Sequence, residues 1–130
     1  MFIKRFCIVA IVLLSACVAA PPPESDLNVI VDSPTPNAIV QSPLMVTGEA
    51  RGTWYFEASF PVRLLDDQGN ELAVAPAQAQ GEWMTEEFVP FSVTLAFDTN
   101  APGGTLVLEK DNPSGLPEHA ASVRIPVRFR

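Results

Sequence analysis

SVRIPVRF, running from Ser122 to Phe129, places Val123, Ile125, Val127 and Phe129 on one parity and Ser122, Arg124, Pro126 and Arg128 on the other. Successive side chains of a strand point to opposite faces, so this alternation predicts a strand with one face for a core and one for water. Pro126 has no N–H to give to a ladder, which predicts an edge position or a bulge for that strand. Two upstream stretches have inward sets of the same kind. One holds Phe91, Val93, Leu95 and Phe97, and the other Leu44, Val46, Gly48 and Ala50.

From Leu27 onward, short apolar stretches are separated by Gly, Pro, Asn and Asp, with no sustained helical period. Strands are predicted near residues 27–33, 43–51, 59–66, 71–79, 88–98, 105–111 and 122–129. Seven strands in about 100 residues predict an all-β fold, an antiparallel immunoglobulin-like sandwich occupying residues 27–130.

The N-terminus reads as a targeting segment. Lys4 and Arg5 precede the apolar run FCIVAIVLL and the small residues Ser15 and Ala16. Phe6 to Ala20 as a helix would reach about 22 Å, short of the roughly 30 Å hydrocarbon core, so a membrane span is the poorer reading. Leu14, Ser15, Ala16 and Cys17 resemble a bacterial lipobox, with residues 1–16 as signal peptide and Cys17 as the lipidated first residue of the mature protein. Ordinary cleavage after Ala20 would place Pro21 directly after the scissile bond, where a fixed φ and a missing N–H fit a protease poorly. Residues 17–26 then form a lipidated, proline-rich tether, with Pro21 to Pro23 favouring an extended chain.

On this reading the mature domain carries no cysteine, so no disulfide and no zinc thiolate site is expected, and packing must supply the stability. No cofactor is expected either. Removing Lys4 and Arg5 leaves six basic residues against fifteen acidic ones, a formal charge of −9. Such a surface repels phosphate backbones, which argues against nucleic acid, and it does not seek anionic headgroups. The lipid on Cys17 would supply the membrane contact. Val18 in place of an aspartate after the cysteine points to the outer membrane in a two-membrane cell.

If the strands alternate up and down, connections alternate between the two ends. Residues 34–42, 67–70 and 99–104 fall at one end and contain no aromatic residue. Residues 52–58, 80–87 and 112–121 fall at the other, which receives both tryptophans and the only tyrosine. Trp54, Tyr55, Glu57, Trp83, Glu86, Asn112 and Ser114 are therefore the expected partner-binding set, rimmed by Arg51, Glu82, Glu87 and Asp111. The alternative is a hydrophobic plug of Trp54, Phe56, Trp83 and Phe88. The glycine-led loop gives Trp54 or Tyr55 as surface and Trp83 as core.

Several catalytic patterns are weaker. Asp111, Ser114 and His119 supply triad residue types within one loop, but without a nucleophile elbow. Glu86 and Glu87 are adjacent, so on a strand they point to opposite faces and cannot flank one glycosidic bond. Asp66 to Glu71, DDQGNE, lacks the sixth-position glycine and the distant glutamate of a calcium loop, and reads as a hairpin turn with Gly69 or Asn70 at positive φ.

The blocks SPLMVTGEARGTWYFEASFPV, WMTEEFVPF and LEKDNPSG resemble the bacterial immunoglobulin-like domain associated with spore-germination proteins. The resemblance covers nearly everything after the tether. It implies an immunoglobulin-like fold in exported or lipid-anchored proteins and supplies no reaction or ligand. The combined expectation is a lipid-anchored, extracytoplasmic envelope protein acting as a non-catalytic binding or structural module toward an envelope protein or glycan. A glycan hydrolase with an acidic loop cleft is the rival.

Overall fold

The computed structural model describes residues 23–130, in which eight strands and two short 3-10 turns are found and no α-helix. The strands are β1 (Val29–Ser33), β2 (Ile39–Val40), β3 (Leu44–Arg51), β4 (Ser59–Asp66), β5 (Glu71–Ala79), β6 (Phe88–Leu95), β7 (Gly103–Glu109) and β8 (Ser122–Phe129). Their order is β1-β3-β6-β5-β4-β7-β8-β2, antiparallel throughout except for the β2–β8 pair. The signal-peptide residues 1–16, the lipidation residue Cys17 and most of the tether lie outside the described residues.

One sheet becomes a sandwich by curling at β5. That strand pairs with β4 along its length but meets β6 only at Gln78↔Ser92 and Ala79↔Phe91. The β1-β3-β6 half thus folds over the β4-β7-β8 half, and the apolar parities of both meet in a single core. Phe60 of β4 and Phe91 of β6 cross the interface edge to face, with ring centroids 5.0 Å apart. Of the expected inward residues of β8, Val123, Ile125 and Val127 are buried and Phe129 is half-buried against the core, while all four of β3 are buried.

Pro126 does not lie on the free edge, because the short β2 lies beyond β8 and the Asn37 N–H donates to the Pro126 carbonyl at 2.7 Å. Arg124 N–H donates to Glu24 and Arg128 N–H to Ala38, both away from β7. Pro126 shares their parity, so its missing N–H would have pointed outward and no β7 bond is lost.

Several boundaries differ from the sequence reading. β6 ends at Leu95 rather than residue 98, leaving Phe97 beyond the strand with its N–H donating to Ser42 Oγ at 2.9 Å. β7 begins at Gly103 rather than residue 105. The strands number eight rather than seven because Ile39–Val40, inside the expected 34–42 loop, pairs in parallel with Arg128 and Phe129. Two residues have no readable period. β1 starts at Val29 because Asp26 closes a turn on Asn28, its Oδ1 accepting the Asn28 N–H at 2.8 Å. β7 ends at Glu109 because the next two N–H groups turn away, Lys110 to Ala121 and Asp111 to Trp54. Within the stretch read as tether, Glu24 is joined to β8. It exchanges two backbone bonds of 3.0 Å with Arg124, and their side chains approach to 3.8 Å.

The β4–β5 connection is a hairpin turn with Gly69 at φ +81, so glycine rather than Asn70 takes the left-handed position. Asp66 Oδ1 accepts the N–H groups of Gln68 and Asn70 at 2.9 and 2.8 Å. Desolvation works to raise this carboxyl. The donors of Asn70, Gln68 and Gly69 outweigh it and hold the group below the usual carboxylate range. Its oxygens serve the turn, and no group of potential metal-ligating side chains occurs among the described residues.

Candidate functional site

The loops 52–58, 80–87 and 110–121 meet at one end of the sandwich, around the 3-10 turn Gly52–Trp54. Gly52 N–H donates to the Glu87 carbonyl at 3.1 Å, fastening the turn to the second loop. Asp111 N–H donates to the Trp54 carbonyl at 3.0 Å, fastening it to the third. A Cβ on residue 52 would lie 1.9 Å from the Thr85 carbonyl oxygen and 2.3 Å from that of Trp83, so only glycine allows this approach. Arg51 completes the junction. Its guanidinium lies 4.0 Å from the Phe88 ring centroid, and Nη1 donates to the Glu86 carbonyl at 3.3 Å.

This fastening inverts the expected roles of the aromatic residues. Trp54 and Tyr55, one or the other expected at the surface, are 1% and 4% exposed, whereas Trp83, expected in the core, is only half-buried against it. The loop is not free, because the turn directs Trp54 and Tyr55 onto Phe60 at centroid distances of 5.7 and 5.1 Å. Burial of Tyr55 is affordable because its hydroxyl donates to the Val89 carbonyl at 2.7 Å. Desolvation, with a smaller contribution from the Glu49 carboxylate, pushes its phenol up to about 12. Of the four residues of the plug alternative, Trp54 is buried, Trp83 and Phe88 are half-buried and Phe56 is 44% exposed, while Tyr55, outside that set, is buried as well.

Phe56 sits on a two-residue hairpin. It exchanges backbone bonds of 3.0 and 3.2 Å with Ser59, and the central residues Glu57 and Ala58 have φ of 50° and 66°. A type I′ turn requires positive φ at both places and favours Asn-Gly; a glutamate and an alanine there hold strain of the order of 1 kcal/mol each. Met84 occupies the apex of another tight turn, closed by Thr85 N–H onto the Trp83 carbonyl at 2.8 Å, and is 74% exposed. Both residues are absent from the expected binding set. Their apolar character was visible in sequence, but not the turns that hold them outward.

In the third loop, Ser114 Oγ lies 2.6 Å from Asn112 Oδ1 and 3.1 Å from His119 Nδ1. Ser114 and His119 meet, but no carboxylate hydrogen-bonds the histidine among the described residues, and all three side chains serve the loop. Asn112 Nδ2 holds the Leu116 carbonyl at 2.9 Å, and Ser114 Oγ accepts the Leu116 N–H at 3.2 Å. Shallow hollows on either side of the 52–54 turn share Thr53 and Tyr55. One continues along Asn112 and Ser114, the other along Trp83, Met84 and Glu86. Glu57, Glu82, Glu86 and Glu87 are exposed around them, and no charged side chain is buried among the described residues.

Residues 28–115 match the family described as the immunoglobulin-like domain of bacterial spore germination, more than half of the chain. The chain belongs to this family. No curated protein and no solved structure matches it. In this germination-type immunoglobulin-like domain the matched span contains β1 to β7 and the first two loops of the candidate site whole. It stops at Gly115, leaving β8 and the second part of the third loop beyond it.

Proposed function

We propose that the chain is a lipid-anchored, extracytoplasmic protein of the cell envelope whose immunoglobulin-like domain is a non-catalytic binding module. Its partner is a protein, engaged at the end formed by the 52–58, 80–87 and 110–121 loops. The anchor rests on the lipobox-like Leu14 to Cys17, and the module on the family. One observation carries the binding end: Phe56, Met84 and Leu116, one from each loop, stay exposed above the buried floor of Trp54 and Tyr55. A glycan fits less well, because sugar rings stack on flat aromatic faces and two of the three candidate rings are spent in the core.

The test is a photo-crosslinking amino acid at position 84 of the full-length, membrane-inserted protein in cells, with position 74 on β5 as an exposed apolar control away from the loop end. A discrete protein adduct from position 84 and none from position 74 is expected. Equal labelling from both positions, or none from either, would sink the reading.

A further inference from the structure

The loop end has a fourth apolar tip. Leu27 is 95% exposed, yet the chain on both sides of it is fixed. Upstream, Glu24 is paired with Arg124; downstream, the Asn28 carbonyl accepts Arg51 N–H at 2.8 Å, next to the Gly52 turn. Between them Asp26 accepts Asn28 through both its backbone N–H and its Nδ2, each at 2.8 Å. Leu27 thus stands at the apex of a pinned turn rather than on a free tail.

Eight large apolar side chains are exposed among the described residues, and four of them, Leu27, Phe56, Met84 and Leu116, lie on turns at this one end. Each is held by backbone hydrogen bonds, so little ordering entropy remains to oppose binding. Their surroundings have one sign of charge. Glu57, Glu82, Glu86, Glu87 and Glu118 are exposed, whereas Arg51 and Lys110 are half-buried and Arg51 is already engaged. A complementary surface is apolar at its centre and cationic at its edge.

We infer that Leu27 is part of the docking surface and that the partner presents a cationic amphipathic segment, with apolar side chains meeting the four tips and Lys or Arg meeting the carboxylate rim. This rests on the binding end proposed above and specifies its partner. An anionic membrane surface is the poorer occupant because the rim would repel it.

The probes are three synthetic peptides of one length, alternating Lys/Leu, Glu/Leu and Lys/Ser, titrated by fluorescence anisotropy into the full-length protein in neutral detergent. Vesicles of neutral and of anionic lipid are the remaining arms. The Lys/Leu peptide is expected to bind best and to weaken as salt is raised. Leu27→Ser and Met84→Ser should each lower its affinity about tenfold, while Val74→Ser leaves it unchanged. Thermal unfolding of the variants, expected to stay within about a degree or two of the parent, separates docking from folding. Equal binding of Lys/Ser, insensitivity to both tip substitutions, or stronger association with vesicles than with any peptide would overturn the inference. A position-84 adduct with a partner whose contact segment is acidic would also overturn it while leaving the binding end standing. Loss of the adduct itself would remove both.

Discussion

Gly52→Ala adds one methyl group in the middle of the loop junction. Its φ lies outside the left-handed region, so on backbone grounds alone alanine should stabilise the chain by roughly 0.4–1 kcal/mol through the unfolded state. The contacts reverse that sign. With the Thr85 carbonyl oxygen at 1.9 Å, the 80–87 loop must retreat by about 1.5 Å to reach an ordinary contact of 3.4 Å. The Gly52 N–H to Glu87 bond, now 3.1 Å, does not survive such a shift. Overpacking of about 1–3 kcal/mol and a lost hydrogen bond of about 1 kcal/mol, less the entropic gain, leave a net loss of about 2–3 kcal/mol. That corresponds to roughly 10–20 °C in melting temperature for a domain of this size. Gly81→Ala is the control. Nothing lies within 4 Å of its added Cβ, and it should be neutral or slightly stabilising. Urea unfolding of both variants with unchanged slope checks the pair. A Gly52→Ala protein as stable as its parent would refute the close approach of the turn to the 80–87 loop.

Trp54→Ala should cost about 3–5 kcal/mol in the same urea assay, because a fully buried ring packed against Phe60 is removed. Tyr55 contributes stability that is complete below its ordinary value of about 10 and is lost as pH rises through about 12, at most about 2–3 kcal/mol. Unfolding measured from pH 9 to 12 should show that decline, and Tyr55→Phe should flatten it while lowering stability at neutral pH by about 1–2 kcal/mol. Replacing the strained pair by Glu57→Asn with Ala58→Gly should raise stability by about 1 kcal/mol, since Asn-Gly suits the same turn; a thermal scan decides. Cys17→Ala should abolish acyl labelling and lipoprotein-type cleavage of the full-length chain in cells, and unchanged labelling would exclude the lipobox reading.

What the sequence determined is what depends on neighbours along the chain. Alternation in Leu44 to Ala50 and Val123 to Phe129 needs only the two-residue period of a strand, and Gly69 needs only the geometry of its own turn. The grouping of the three loops also follows from strand parity, a property of order rather than of distance. The side-chain roles at the loop end could not be read this way, since each depends on a partner remote in sequence. Gly52 meets Trp83 and Thr85, Tyr55 finds the Val89 carbonyl, and Asp111 reaches back to Trp54. An aromatic residue is equally apolar in a loop or in a core; whether it is buried depends on whether the backbone can deliver it and a hydrogen-bond partner can receive its polar atom. Only the tertiary structure supplied the delivery of Trp54 and both conditions for Tyr55, and by placing them inward it left Leu27, Phe56, Met84 and Leu116 as the apolar face turned to solvent.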